Sequence, residues 1–206
     1  MKSRPLQRSH LAWLLLLAVA AASAEKADRS KPMTLESDKP CTVNLLKQTS
    51  VCSGNVVITQ GTLLLRADKL ELRETADGYQ LATALGGDGK LAQYRQKRDG
   101  SDEVVEGQAN RIDYDSRAAT IRFDGAAQVR RLRGGVPADE IQGALIVWDS
   151  NAELFNVQGG NTSAANPGGR VRAVIAPRQG PDTPPPPATA ASAPVLRASP
   201  ALGERR

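Results

Sequence analysis

The stretch GNVVITQGTLLLRADKLEL, from Gly54 to Leu72, decides the fold of this chain of 206 residues. Its apolar residues alternate by twos on both sides of a polar turn, and an Ala-Asp pair follows. Gly54 precedes Asp68 by fourteen residues, and Gly125 precedes Asp139 by the same interval. Because alternation by twos places side chains on one face of a β-strand, the stretch predicts a β-hairpin that the chain repeats.

A second repeat supports this prediction. YDSRAATIRFDG, from Tyr114 to Gly125, matches WDSNAELFNVQG, from Trp148 to Gly159, and VNLLKQTSVCSG, from Val43 to Gly54, fits more weakly. Each copy predicts a strand, a polar reversal, a second strand and a closing glycine. Such copies are typical of β units that bury a common core by stacking.

The repeats occupy one predicted all-β domain over residues 33–176. Short strands and frequent turn residues favour a twisted β-jelly roll or short solenoid, built from two facing antiparallel sheets with open edges at both ends. About eight strands per sheet would give a stack about 40 Å long.

Three other segments flank this domain. Residues 1–24 have a basic start, an apolar run from Leu11 to Ala22 and small residues before Glu25, which predicts a signal peptide cleaved after Ala24. The alternative is an uncleaved membrane anchor, for which the run is short. Residues 25–32 predict a flexible N-terminal segment, and residues 177–206 predict a disordered Pro/Ala-rich tail.

The charge of the chain does not favour a nucleic-acid partner. The formal net charge is +5, but the leader holds three of these charges and the tail holds two, so the remainder is about neutral. No DNA- or RNA-binding motif accompanies it. Basic clusters either contact anionic head groups or form solvated strand edges. They consist of Arg95, Lys97 and Arg98, and of Arg130, Arg131 and Arg133.

Few nucleophiles or metal ligands remain in the mature chain. The single histidine, His10, lies in the leader, which excludes Ser-His-Asp catalysis and imidazole metal ligands. Cys41 and Cys52 lie eleven residues apart on either side of a predicted reversal. In an oxidising compartment they form a structural cross-strand disulfide, or else they are two buried thiols.

Paired carboxylates are the remaining catalytic candidates. Asp113 with Asp115, or Asp139 with Glu140, could supply the two acids of a glycosidase. Asp115 and Asp149, however, occupy the turn position of their repeats, where aspartate caps a reversal with its own side chain. We therefore predict no enzymatic activity, no cofactor and no metal site.

The interior of the stack is the candidate binding site. Two twisted sheets that separate at one side leave an elongated apolar trough, which suits long acyl chains. The candidate lining residues are Met33, Leu35, Tyr94, Ile112 and Tyr114. Alternation alone does not separate such a trough from a filled core.

Several motifs carry a family resemblance. They are ESD (36–38), KQTSV (47–51), the opening stretch, YRQKRDG (94–100), VEGQANRIDYD (105–115) and RRLRGG (130–135). Together they resemble the LptA (OstA-like) family of periplasmic lipopolysaccharide-transport proteins of Gram-negative bacteria, from about Met33 to Gly159. The cysteine pair and the Pro-rich tail depart from that pattern.

The resemblance implies an OstA-like β-jelly roll that carries lipopolysaccharide through the periplasm without catalysis. The implied partners are an inner-membrane transport complex with an anchored jelly-roll protein, an outer-membrane translocon and further copies joined head to tail. The lipid-lining positions of the family correspond to Met33 and Leu35 in the first strand and to Tyr94, Ile112 and Tyr114 in the central strands.

Three alternatives remain open from the sequence. The chain could be the inner-membrane-anchored partner of the same fold, which would retain its leader. It could be a β-solenoid carbohydrate hydrolase, which would require a clustered carboxylate pair. It could also be a structural surface protein with a filled interior.

Overall fold

Four strands of twelve to fourteen residues form the framework of the fold. The computed structural model describes residues 28–98, 100–160 and 169–177. The predicted signal peptide, Asp99 and the tail from residue 178 lie outside them. The strands are β1 (Met33–Glu36), β2 (Thr42–Asn44), β3 (Thr49–Gln60), β4 (Leu63–Glu74), β5 (Gln80–Leu85), β6 (Ala92–Lys97), β7 (Glu103–Ala109), β8 (Arg111–Asp115), β9 (Thr120–Arg133), β10 (Val136–Asp149), β11 (Leu154–Gln158) and β12 (Arg172–Ile175).

The long strands β3, β4, β9 and β10 each run through two layers. Layer one has the order β1-β3-β4-β6-β7-β9-β10-β12. Layer two has the order β2-β3-β4-β5-β8-β9-β10-β11. All pairs are antiparallel, and the strands β4, β5, β8, β9, β7 and β6 close a hydrogen-bonded ring. The prediction of a twisted all-β jelly roll is confirmed.

The long strands bend at a corner where one layer passes into the other. In β3 the register shifts between Ser53 and Val56, and Gly54 and Asn55 have φ of 76° and 47°. In β9 the corresponding residues, Gly125 and Ala126, have φ of 74° and 51°. The prediction that these glycines end a strand and close each hairpin is therefore wrong. Each glycine forms a β-bulge, because glycine adopts positive φ at little cost, and the strand continues into the second layer.

The turns of layer two share one hydrogen-bonding pattern. The Asp115 carboxylate accepts hydrogen bonds from the backbone amides two and three residues onward, at 2.8 and 2.9 Å. Asp149 accepts the equivalent pair at 3.0 and 2.9 Å, and the Asn44 side chain accepts one at 2.9 Å. The predicted turn role of the two aspartates is confirmed. The residue four positions after each cap has positive φ in all three turns: Gln48, Ala119 and Glu153.

The two cysteines are joined. Cys41 and Cys52 form a disulfide with a Cα–Cα distance of 4.3 Å, and Cys52 is buried. The bond links the residue before β2 to β3, one register step beyond the pair of Thr42 and Val51. It thus anchors the N-terminal edge strand of layer two.

The inner faces of the two layers pack directly against each other. Tyr94 of layer one meets Phe123 of layer two edge to face, with ring centroids 5.8 Å apart. Gly107, which pairs with Tyr94, has no side chain and makes room for the Phe123 ring. Among the largest fully buried side chains are Ile58, Leu65, Val105, Ile112, Ile121 and Ile146. In the described residues, no helix is long and apolar enough to cross a membrane.

Candidate functional site

All five predicted lining residues belong to or border the apolar interior. Tyr94, Ile112 and Tyr114 are 3%, 0% and 6% exposed, and they lie on strands of opposite layers. Met33 and Leu35 are half-buried on β1 and pack against the core at the N-terminal edge. Such low exposure leaves no space for an acyl chain at the central positions. Binding there requires the layers to separate.

Continuous strands join the two layers on one side only. At the corner, the long strands continue from layer to layer, and the backbone holds the layers together. On the opposite side the strands of each layer end in turns. There Arg98, after β6 in layer one, forms an ion pair with Glu153, in the β10–β11 turn of layer two. Arg98 is 12% exposed and Glu153 is 62% exposed. Side chains, rather than strands, close this side. We call it the open side, because no backbone joins the layers there.

A charged network supports that ion pair from layer one. Glu103 accepts from Arg98 and from the Nε atom of Arg133 at 2.8 Å, and Arg131 lies 3.7 Å away. Arg131 also donates from Nε to Asp139 at 2.7 Å. Burial raises the pKa of Glu103, but the hydrogen bond from Arg133 and the charges of Arg131 and Arg98 outweigh it, so the pKa is lowered. The network therefore favours the ionised form of Glu103.

The predicted basic clusters are largely paired with acids. Arg95 and Arg130 both face Glu106, the second at 3.9 Å, and Lys97 lies 3.6 Å from Asp102. Together with the network around Glu103, these pairs match the interpretation of solvated strand edges more closely than that of open head-group sites.

An aspartate near the N-terminus lies at the open side as well. Asp28 is 1% exposed and accepts hydrogen bonds from the Thr62 amide at 2.9 Å, from the Thr62 hydroxyl, from Lys31 at 3.0 Å and from Gln96 at 3.3 Å. Burial raises its pKa, but the bonds from Thr62, Lys31 and Gln96 outweigh it and the pKa is lowered. Sequence reasoning placed Asp28 in a flexible segment, because nothing local distinguishes it from a solvated aspartate. In the structure it is tied to the β3–β4 turn.

Comparison with known proteins agrees with this architecture. Residues 34–154, from β1 to the start of β11, match the family model described as LptA/(LptD N-terminal domain) LPS transport protein. The chain belongs to this family. The matched span includes both layers, the corner and the open side.

Named relatives of this LptA-family chain are lipopolysaccharide export system proteins. LptA of Escherichia coli K12 is 28% identical over 149 residues, which cover 72% of this chain and 78% of that protein. LptA of Haemophilus influenzae Rd is 26% identical over 165 residues, 80% of this chain and 88% of that protein. The crystal structure of Pseudomonas aeruginosa LptH, described as the LptA homologous periplasmic component of the conserved lipopolysaccharide transport device, superposes with a TM-score of 0.59. At 24% identity it covers 73% of this chain and 99% of LptH, which supports the fold.

The carboxylates that a hydrolase would use have structural partners in this LptA-family chain. Asp113 accepts from Arg111 at 2.7 to 3.0 Å and from Thr83 at 2.8 Å. Burial raises its pKa, but the hydrogen bonds from Arg111 and Thr83 outweigh it and the pKa is lowered, the opposite of what a general acid needs. Glu140 accepts from Gln142 at 2.6 Å. Over the described ranges, no group of three or more His, Cys, Asp or Glu side chains is placed to hold a metal ion.

Proposed function

We propose that this protein is a periplasmic lipopolysaccharide carrier and not an enzyme. It binds the lipid A acyl chains between its two layers and passes lipopolysaccharide from the inner to the outer membrane as part of a protein bridge. The observation that carries the proposal is the shape of the interior. Two apolar faces run the length of the stack, joined by backbone at the corner and by side chains alone at the open side. Membership of a lipopolysaccharide-transport family supports it.

Acyl chains enter when the layers separate at the open side. The lining residues are Met33, Leu35, Tyr94, Ile112 and Tyr114, whose apolar surfaces then face lipid instead of each other. Each methylene buried contributes about 0.8 kcal/mol, so a few acyl chains offset the loss of contacts between layers. This transfer needs no catalytic group, since only the burial of the acyl chains changes as the lipid enters and leaves the interior.

The two ends of the stack fit a head-to-tail bridge. At the N-terminal end β1 presents the edge of layer one. At the C-terminal end β11 and β12 present edges with exposed apolar residues, where Leu154, Val174 and Ile175 are 51%, 48% and 76% exposed. An edge strand pairs with a strand of another molecule through its backbone, and an N-to-C contact of this kind does not close on itself. The proposed neighbours are further copies, an inner-membrane-anchored jelly-roll partner and the outer-membrane translocon.

Two measurements test the proposal. A photo-reactive residue placed at Leu35, Tyr94 or Tyr114 should form adducts with lipopolysaccharide, whereas one at exposed Glu71, on the outer face of layer two, should not. A folded protein without adducts at the first three positions would instead be a structural protein. Mass spectrometry of the exported protein should find Glu25 as the first residue; a chain starting at Met1 would indicate the membrane-anchored partner.

A further inference from the structure

A row of glutamines crosses the outer face of layer one. Strand register places Gln93 opposite Gln108, Gln108 opposite Gln128 and Gln128 opposite Gln142. Arginines extend the row at both ends. The glutamine row consists of Arg66 on β4, Gln93 on β6, Gln108 on β7, Gln128 on β9, Gln142 on β10 and Arg172 on β12. With about 4.8 Å between strands, it is about 24 Å long and follows the stack axis.

The row borders a groove. A groove of about 220 Å³ lies between the glutamine row and the next row toward the open side, and its lining includes Arg66, Gln93, Gln108 and Gln128. Arg66 and Gln93 are exposed, and the Gln108 amide donates to the Gln128 oxygen at 2.9 Å. This bond fixes the orientation of two amides at the groove floor.

Charge distinguishes the glutamine row from its surroundings. In the adjacent row, Glu106 pairs with both Arg95 and Arg130. The glutamine row itself contains two arginines and no acid. At its β12 end, Glu140 of the adjacent row accepts from Gln142 at 2.6 Å and lies 3.9 Å from Arg172. On the outer face of layer two, by contrast, Arg111 pairs with Asp113 and Arg122 pairs with Asp124, at 2.7 and 2.9 Å. The outer face of layer one thus combines a line of amides with an arginine at each end.

This chemistry fits a hydroxylated, anionic chain. Amides offer donors and acceptors to hydroxyl groups, and guanidinium groups bind phosphate through paired N–H bonds. A single-stranded nucleic acid would need aromatic stacking surfaces, which the groove lining lacks apart from an edge of the buried Tyr94. An acyl chain would leave the amides without partners. A phosphorylated saccharide satisfies both groups.

We propose that the glutamine row binds the phosphorylated saccharide part of the transported lipid. The inference rests on the proposed function, which places the acyl chains on the other side of the same layer. Along β6, Lys97 at the open side lies four residue steps beyond Gln93, a distance of about 13 Å. A saccharide that leaves the interior at the open side therefore reaches the row after folding over the edge of layer one.

The test uses a lipid-free, phosphorylated core oligosaccharide prepared from lipopolysaccharide, and the same oligosaccharide after phosphatase treatment. In the full-length exported protein, NMR should show shifts of the side-chain amide signals of Gln93, Gln108 and Gln128 on titration. R66A/Q93A removes two exposed side chains and should weaken binding at least tenfold. Its matched control, R122A/N156A, removes an exposed arginine and an exposed amide from the outer face of layer two and should leave binding unchanged.

Separate outcomes distinguish this site from the carrier function. Binding that R66A/Q93A and R122A/N156A weaken equally, or shifts confined to layer two, would overturn the saccharide site. Equal binding of the dephosphorylated oligosaccharide would overturn the role of the arginines. If lipopolysaccharide adducts form at Leu35 and Tyr94 while the oligosaccharide does not bind, the carrier proposal stands and the glutamine row is a sheet-stabilising ladder. If neither is observed, both proposals fail. Urea midpoints show that each variant is folded.

Discussion

Replacing Gly107 by alanine should drive the two layers apart at their closest contact. A Cβ atom at Gly107 would lie 2.5 Å from the Cζ atom of Phe123 and closer still to Cε1, which no real side chain tolerates. Phe123 is 0% exposed, and its ring is held edge to face by Tyr94. The ring therefore cannot move into solvent, and the layers must shift.

The expected cost is the balance of two effects. Inserting a methyl into a packed core costs about 1 to 3 kcal/mol. Removing a glycine from a strand restores about 0.5 to 1 kcal/mol, because glycine loses more conformational entropy on folding. Because the fully buried ring cannot move away, the cost lies in the upper part of its range, about 2 to 3 kcal/mol. After the glycine gain, Gly107→Ala should lower the free energy of unfolding by about 1 to 2 kcal/mol. For a domain of this size, each kcal/mol corresponds to a melting temperature lowered by roughly 2 to 4 °C.

Urea unfolding of a double-mutant cycle provides the assay. Phe123→Leu removes the two ring atoms that the new methyl would meet, so Gly107→Ala should cost close to nothing, or stabilise, in that background. The coupling energy should then be about 1 to 2 kcal/mol in favour of the double variant. An equal cost of Gly107→Ala in both backgrounds would show that the ring is not what the methyl meets. The account of how the layers interlock would then be wrong.

Three further predictions concern the ends and the open side of the stack. Because the pKa of Asp28 is lowered in the fold, the stability it contributes is present above pH about 4 and is lost as pH falls through the folded pKa. Asp28→Asn should therefore lower the free energy of unfolding at pH 7 by about 1 to 3 kcal/mol and flatten the acid dependence of the urea midpoint. An unchanged acid dependence would contradict this prediction. Reducing the Cys41–Cys52 disulfide, which spans eleven residues, should cost about 2 to 3 kcal/mol in urea unfolding, against no effect of reductant on a double serine variant. Glu153→Gln breaks the ion pair with Arg98 and should change the free energy of unfolding by less than about 1 kcal/mol. It should nevertheless accelerate lipopolysaccharide photo-crosslinking in the interior. An unchanged rate would show that the ion pair does not restrain the separation of the two layers.

Local chemistry made the turns and bends predictable. Asp115 and Asp149 cap reversals because a carboxylate accepts backbone N–H groups two and three residues onward, a rule that needs no tertiary information. The spacing of Gly54 and Gly125 correctly identified equivalent positions. Their role was misjudged, because a glycine that ends a strand and a glycine that bends one give the same local pattern.

Contacts that depend on strand register were not predictable. The glutamines at 93, 108, 128 and 142 follow no sequence period, and only the pairing of β6, β7, β9 and β10 aligns them. Burial of Asp28 likewise depends on Thr62, thirty-four residues away. Tyr94, Ile112 and Tyr114 were correctly expected in the interior from alternation by twos. Their contact with lipid remains a prediction, since a closed core and an opened one share the same alternation.

The order in which strands find their partners has a consequence for biogenesis. Each of the twelve described strands pairs only with strands one, two or three places away in the chain, which favours rapid folding for a β protein. A chain that emerges from its N-terminus can thus add strands one at a time. The ring closes only when β9 forms, because β9 pairs with both β7 and β8. Until Thr120–Arg133 has emerged, the growing sheet exposes two unpaired edges and its apolar lining, and this is the interval in which a nascent chain most needs protection from aggregation.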